Sequence, residues 1–79
     1  MTFIAIGPFA WGKSEVSTAE ALRNVRRHVP RSLLKKGKHP IHVYEVETFL
    51  SVDGLGRIEY KGKKPKLVAE SSVIKREDG

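Results

Sequence analysis

The sequence predicts a small α+β domain, ordered βαβββ, in which one helix packs on one face of a mostly antiparallel sheet. Its 79 residues suffice for one domain and not for two. A stretch with helical periodicity follows a capping signal near residue 17. From residue 41 onward, apolar and polar residues alternate between turn signals. We place the domain at residues 1–74 and assign residues 75–79 to a frayed polar C-terminal tail.

The first strand and the start of the helix follow from short local patterns. Phe3–Ile6 is apolar and is closed by Gly7-Pro8, which predicts a buried strand. Ser17 and Glu20 form a capping box, in which the Ser17 hydroxyl accepts a hydrogen bond from the Glu20 amide and the Glu20 carboxylate accepts one from the Ser17 amide. This pattern predicts that the helix begins just after Ser17.

The predicted helix is amphipathic and ends at a proline. Its apolar side consists of Ala19, Leu22, Val25 and Val29. Because Pro30 disfavours helical geometry in the residue before it, the helix ends or kinks at Val29. Residues 31–36 add a further turn, which Gly37 stops.

The second half of the chain has the period of two that is typical of strands. The predicted strands are Ile41–Glu47, Phe49–Val52 and Arg57–Tyr60, and Lys66–Ala69 can pair back against them. Asp53–Gly56 is the turn of a hairpin between the second and third of these. We expect a single core made of Ile4, Ile6, Leu22, Val25, Val43, Val46, Ile58 and Val68.

The net charge of +6 comes entirely from one segment. Residues 1–20 have a net charge of −1, and residues 45–79 hold seven bases and seven acids. Residues 21–44 hold seven bases and no acid. A charge excess confined in this way indicates either a solvated face or a surface for an anionic partner.

This asymmetry predicts a non-enzymatic binding module that contacts nucleic acid through an electrostatic surface. Lysine and arginine side chains bind the phosphate backbone by releasing condensed counterions, without base specificity. Aromatic rings at Trp11, Tyr44 and Tyr60 offer stacking for unpaired bases. The predicted nucleic-acid-binding residues are Arg26, Arg27, Arg31, Lys35, Lys36, Lys38, Lys63, Lys64 and Lys66.

The stretch GPFAWGKS, residues 7–14, fits the pattern of the phosphate loop of nucleotide hydrolases. Phosphate or nucleotide binding through Gly7–Ser14 is therefore an alternative function, which three features disfavour. The rest of the chain is too short for the repeated parallel crossovers of that fold. The strongest helix cap lies three residues after the motif, at Ser17, and Pro8 has no amide to offer a phosphate. We expect Phe9 and Trp11 to pack over the end of the helix.

Other chemistry finds little support in the sequence. His39 and His42 fall on opposite faces of a strand, so we predict no metal site. Ser32, Ser71 and Ser72 have no local partner that suggests a catalytic set, and we predict neither an enzymatic activity nor a cofactor. With no cysteine, no signal peptide and no apolar run long enough to span a bilayer, we expect a soluble cytoplasmic protein that does not contact membranes. The oligomeric state stays open.

Short motifs spread over about two thirds of the chain resemble those of small bacteriophage and prophage proteins, a group largely without assigned activity. The likeness covers Ile6–Arg26, including Ile6-Gly7-Pro8, Trp11-Gly12 and Ala19-Glu20-Ala21-Leu22, and extends to Val52–Arg57. It implies a protein that binds a host macromolecule and does not catalyse a reaction. Binding and modulation of a host protein is therefore the second function that stays open.

Overall fold

The computed structural model describes residues 1–76, which form one helix and six strands. These are β1 (Thr2–Gly7), β2 (Ala10–Ser14), α1 (Thr18–His28), β3 (Gly37–Val46), β4 (Thr48–Val52), β5 (Ile58–Lys61) and β6 (Lys66–Lys75), with a 3₁₀ turn at Arg31–Leu33. The larger sheet has the strand order β2-β1-β3-β6, and β4 and β5 form a second sheet. All pairings are antiparallel. The predicted α+β class is confirmed, with more strands than the predicted βαβββ order.

β2 lies outside every predicted strand segment, and it pairs with β1 around a turn at Pro8 and Phe9. Phe9 has a φ of +58°, which is unusual for a residue with a bulky side chain. Gly12 and Ser14 are buried, whereas Trp11 and Lys13 are exposed. The inward-facing positions of β2 carry small residues, so its sequence lacks the alternation of apolar and polar residues that predicts a strand.

The N-terminus of α1 confirms half of the predicted capping box. The Ser17 hydroxyl accepts a hydrogen bond from the Glu20 amide at 3.1 Å. The predicted return bond to Glu20 is wrong, because the Ser17 amide donates to the Ser14 hydroxyl at 3.2 Å. The helix ends as predicted, with Val29 in extended geometry before Pro30.

The main core lies between α1 and one face of the larger sheet. Its buried residues are Ala5, Ala21, Val25, Val29, Leu34, Ile41, Val43 and Val73. The predicted Val25 and Val43 are among them, and Leu22 is partly buried against this core. Val68 is exposed, contrary to the prediction, because a bulge in the pairing of β3 with β6 brings Ala69 opposite Val43 and turns Ala69 toward the core.

A second layer covers the opposite face of the sheet, so the predicted single core is divided in two. Ile4 and Val46 are fully buried there, although neither belongs to the core under α1. The β4–β5 hairpin folds over this face. The Phe49 ring packs against Trp11 with centroids 5.5 Å apart, and a Cβ on Gly56 would lie 3.5 Å from Ile6.

Strands β3 and β6 extend beyond the rest of the sheet as a two-stranded ribbon. β1 pairs with β3 only from His42 to Val46, whereas Gly37–Ile41 pairs only with Ser71–Lys75. We call these two segments the distal ribbon. Pro40 lies on its free edge, where a missing amide costs no ladder hydrogen bond. Of the predicted tail, Lys75 belongs to β6, Arg76 follows it, and residues 77–79 lie outside the described part of the chain.

Candidate nucleic-acid interface

The distal ribbon and the C-terminus of α1 bring basic residues together at one end of the molecule. Gly37 pairs with Lys75, and the Lys75 ammonium donates to the Arg31 carbonyl oxygen at 3.0 Å. Residues 21–44 and 71–76 together hold nine bases and no acid. We define the basic end as Arg26, Arg27, Arg31, Lys35, Lys36, Lys38, Lys75 and Arg76.

Six of the predicted interface residues therefore lie at the basic end. Lys75 and Arg76 are not among the predicted residues, since the sequence predicts a frayed tail there, whereas the structure has Lys75 in β6 and Arg76 directly after it. Residues 69–74 do not alternate between apolar and polar residues, and only the β-branched pair Val73-Ile74 favours an extension of the strand predicted at Lys66–Ala69. Only the register of β3 with β6 brings them beside Arg31.

Three arginines at the basic end surround a cleft of about 360 Å³, which we call the arginine cleft. Its lining residues are Arg26, Arg31, Ser72, Ile74 and Arg76. The guanidinium group of Arg26 spans from α1 to β6, donating to the Ser72 carbonyl oxygen at 3.0 Å and to the Ser71 hydroxyl at 2.5 Å. These bonds use two of the five N–H groups of the guanidinium and hold its plane in one orientation beside the cleft.

The remaining predicted lysines lie at the other end of β6. Lys66 pairs with Glu45, while Lys75, at the other end of the strand, pairs with Gly37. At about 3.3 Å per residue, the two ends of this strand are about 30 Å apart. The structure thus does not bring Lys63, Lys64 and Lys66 to the basic end.

Lys64 instead lines a groove between the sheet and the β4–β5 hairpin, with a volume of about 340 Å³. We call it the aromatic groove. Its lining residues are Ile6, His42, Tyr44, Gly56, Arg57, Ile58, Tyr60, Lys64 and Pro65. The His42 and Tyr44 rings have centroids 6.5 Å apart. Two carboxylates border this groove: Glu70 lies 3.4 Å from His42 Nε2, and Asp53 pairs with Arg57.

The turn beside the aromatic groove is organised by Asp53. Its Oδ1 accepts hydrogen bonds from the amides of Leu55 and Arg57, both at 2.9 Å, and its Oδ2 accepts one from Arg57 Nε at 2.8 Å. The backbone hydrogen bond from Arg57 is the largest cause that lowers the pKa of the Asp53 carboxyl. This turn confirms the predicted hairpin and holds Arg57 at the groove.

Gly7–Ser14 is a β-hairpin in which the lysine and serine of the phosphate-loop pattern lie within β2. Lys13 Nζ lies 5.8 Å from the centroid of the Phe49 ring. The buried Ser14 hydroxyl accepts hydrogen bonds from the amides of Val16 and Ser17. In a phosphate loop these two residues open the helix, whereas α1 begins only at Thr18.

Phe9 and Trp11 do not cover the end of the helix as expected. Phe9 is 74% exposed at the hairpin tip, and Trp11 packs against Phe49 on the other face of the sheet. Together with Leu55, which is 78% exposed, they border a cavity of about 610 Å³ between the tips of the two hairpins. Exposed apolar side chains around one cavity are a feature of binding surfaces.

His39 and His42 lie on opposite faces of β3, as predicted. His39 pairs with the buried Val73, and its Nε2 lies 2.6 Å from the Lys35 carbonyl oxygen, whereas His42 faces Glu70. Within residues 1–76, no group of three histidine or acidic side chains is arranged to hold a metal ion. The single helix of that same range is too short to cross a membrane. No family model, no curated protein and no solved structure matches this chain.

Proposed function

We propose that this protein is a small nucleic-acid-binding module that holds a phosphate backbone at its basic end. The observation that carries the proposal is the gathering of the eight residues of the basic end, three of whose arginines line one cleft, within segments 21–44 and 71–76 that hold no acid. Guanidinium groups match phosphate oxygens with paired hydrogen bonds, and a fixed guanidinium loses less conformational entropy on binding. The bonds from Arg26 to β6 provide that fixation.

The binding is electrostatic and independent of base sequence. Phosphate contacts position a backbone and carry little sequence information. Affinity for duplex DNA therefore varies little with sequence and falls steeply with salt, because each neutralised phosphate releases condensed counterions.

The experiment is a titration of 20-base-pair duplexes of different sequence at several salt concentrations, starting at about 50 mM, where such contacts are favoured. Replacing the exposed lysines in a Lys35→Glu/Lys38→Glu variant should abolish most of the affinity. The matched control is Lys61→Glu/Lys63→Glu, with the same change of charge near the far end of β6. The control should retain much more affinity than the basic-end variant. Failure of the wild-type protein to bind duplex at 50 mM salt would overturn the proposal.

A second function, binding of a host protein, is favoured by the exposed Phe9 and Leu55 at the hairpin tips. Such a partner would bury these side chains together with part of Trp11. A partner captured by the wild-type protein should be lost with a Phe9→Ser/Leu55→Ser variant and kept with Leu33→Ser. Leu33 is the matched control because it is 65% exposed and lies beyond α1. Equal capture by all three proteins would exclude this surface.

A further inference from the structure

We infer that the aromatic groove takes an unpaired base, so that the protein binds single-stranded nucleic acid in preference to duplex. This inference rests on the proposed function, since the basic end supplies the backbone contacts. The groove has about 340 Å³, at the small end of the range in which small-molecule sites fall.

The lining of the groove suits the flat faces of a base. Tyr60 is 38% exposed and pairs across the hairpin with Phe49, which packs against Trp11. The Tyr60 side chain therefore leaves the hairpin on the side that faces the sheet. Tyr44 enters from β3, and Ile6 and Ile58 add apolar surface. Stacking on such rings is tolerant of base identity, because every base has a π-face.

The charges around the groove suit the phosphates on either side of that base. Lys64 and Arg57 line the groove, and Lys63 lies beside Lys64 in the turn after β5. Three carboxylates lie near these bases: Glu70 faces His42, Asp53 pairs with Arg57, and Glu47 approaches Gly62. Lys64, which does not reach the basic end, thus has a role beside the base. Lys61 and Lys66 face away from the groove, because Lys61 alternates with Tyr60 and Lys66 pairs with Glu45.

The arginine cleft and the aromatic groove lie along the same strand. Tyr44 of the groove lies opposite Leu67 in β6, and Ile74, which lines the arginine cleft, follows seven residues later, about 23 Å along the strand. A single strand of a few nucleotides spans that distance. A duplex keeps its bases paired and stacked, so it can meet the arginine cleft and cannot fill the groove without unpairing.

The test compares a 12-nucleotide oligothymidylate with a 12-base-pair duplex, both at low salt, for the wild-type protein, Tyr60→Ala and Tyr60→Phe. Removal of one stacking ring should weaken single-strand binding about 5- to 150-fold. Duplex binding by Tyr60→Ala should equal that of the wild type. Tyr60→Phe keeps the ring and should bind both probes like the wild type. A 2-aminopurine base in the single strand should lose fluorescence on binding to the wild-type protein and to Tyr60→Phe, and should lose less on binding to Tyr60→Ala.

Equal single-strand affinity of Tyr60→Ala and the wild type would overturn the inference, as would an equal loss on both probes. In either case the duplex result with Lys35→Glu/Lys38→Glu still tests the proposed function by itself. Binding of neither probe by the wild-type protein overturns both. Circular dichroism of each variant establishes that the fold is kept.

Discussion

The backbone of Val25 in α1 lies so close to Gly12 in β2 that a Cβ on the glycine would stand 2.5 Å from the Val25 nitrogen. The carbonyl carbon of Asn24 would be 2.9 Å away. Beside this contact, the Asn24 side-chain amide donates to the Lys13 carbonyl oxygen at 2.8 Å. Helix and edge strand are therefore in backbone contact, which only a residue without a side chain permits.

Gly12→Ala should destabilise the protein by about 1–3 kcal/mol or more, because the added methyl group forces α1 away from the sheet. Gly54→Ala is the matched control, since a Cβ at Gly54 meets nothing within 4 Å. We expect the control to change stability by less than about 0.5 kcal/mol. Urea unfolding followed by circular dichroism measures both. Equal midpoints for the two variants would contradict the close approach of the helix.

The core under α1 predicts a graded response to truncation. Ile41 is fully buried, so Ile41→Ala should cost about 2–5 kcal/mol, a large part of the stability of so small a domain. Leu22 is only partly buried, and Leu22→Ala should cost less. The reverse order in thermal unfolding would show that the helix packs through a different face.

Phe9 should destabilise the protein, because it occupies a position of the β1–β2 turn that has a positive φ. Its positive φ costs a residue with a side chain about 1–2 kcal/mol, and its ring is largely exposed. Phe9→Gly relieves the strain and Phe9→Ala keeps it. The glycine variant should therefore melt at a higher temperature than the alanine variant. Identical melting temperatures would mean that the turn has no strain at this position.

Asp53 should make the stability depend on acid pH. Because its pKa is lowered in the folded protein, the ionised carboxylate stabilises the fold at pH values above its unfolded pKa of about 3.9. This contribution is lost as the pH falls through the lower pKa of the folded state. Asp53→Asn should thus be less stable than the wild type at pH 7, and the gap should shrink below about pH 4. A gap of the same size at pH 7 and pH 2.5 would exclude this linkage.

Lys13→Ala should have no effect on nucleotide affinity, because we expect no measurable affinity of the wild-type protein for ATP or GTP. The Lys13 ammonium lies over the Phe49 ring, and the neighbouring Ser14 hydroxyl accepts bonds from two backbone amides. Calorimetric titration with each magnesium nucleotide tests this. A micromolar Kd that the substitution weakens would make residues 7–14 a nucleotide site.

The features that the sequence predicts well are those encoded locally. The cap at Ser17, the helix end before Pro30 and the turn at Asp53 each depend on side chains within a few residues of one another. β2 has no such local signal. Its inward-facing residues, including Gly12, are small because α1, which follows later in the chain, packs directly against them.

The candidate site was predicted only in part, for a related reason. The bases of residues 21–44 are visible as a run, whereas Lys75 joins them through strand register alone. The groove between Tyr44 and Tyr60 requires the β4–β5 hairpin to fold back over the sheet. In that arrangement Phe49 packs on Trp11. The two residues are far apart in the chain, so no local sequence pattern predicts this contact.

The pairing of Glu45 with Lys66 has a consequence for the order in which the chain folds. Pairing of Glu45 with Lys66 closes residues 46–65 into a loop. The entropic cost of closing a loop grows with the logarithm of its length. The β4–β5 hairpin lies within that loop, and its local turn brings the two ends toward each other before the long strands meet. We therefore expect the Asp53 turn to form before β3 and β6 pair, and their pairing to extend from Glu45 and Lys66 toward Gly37 and Lys75 afterwards.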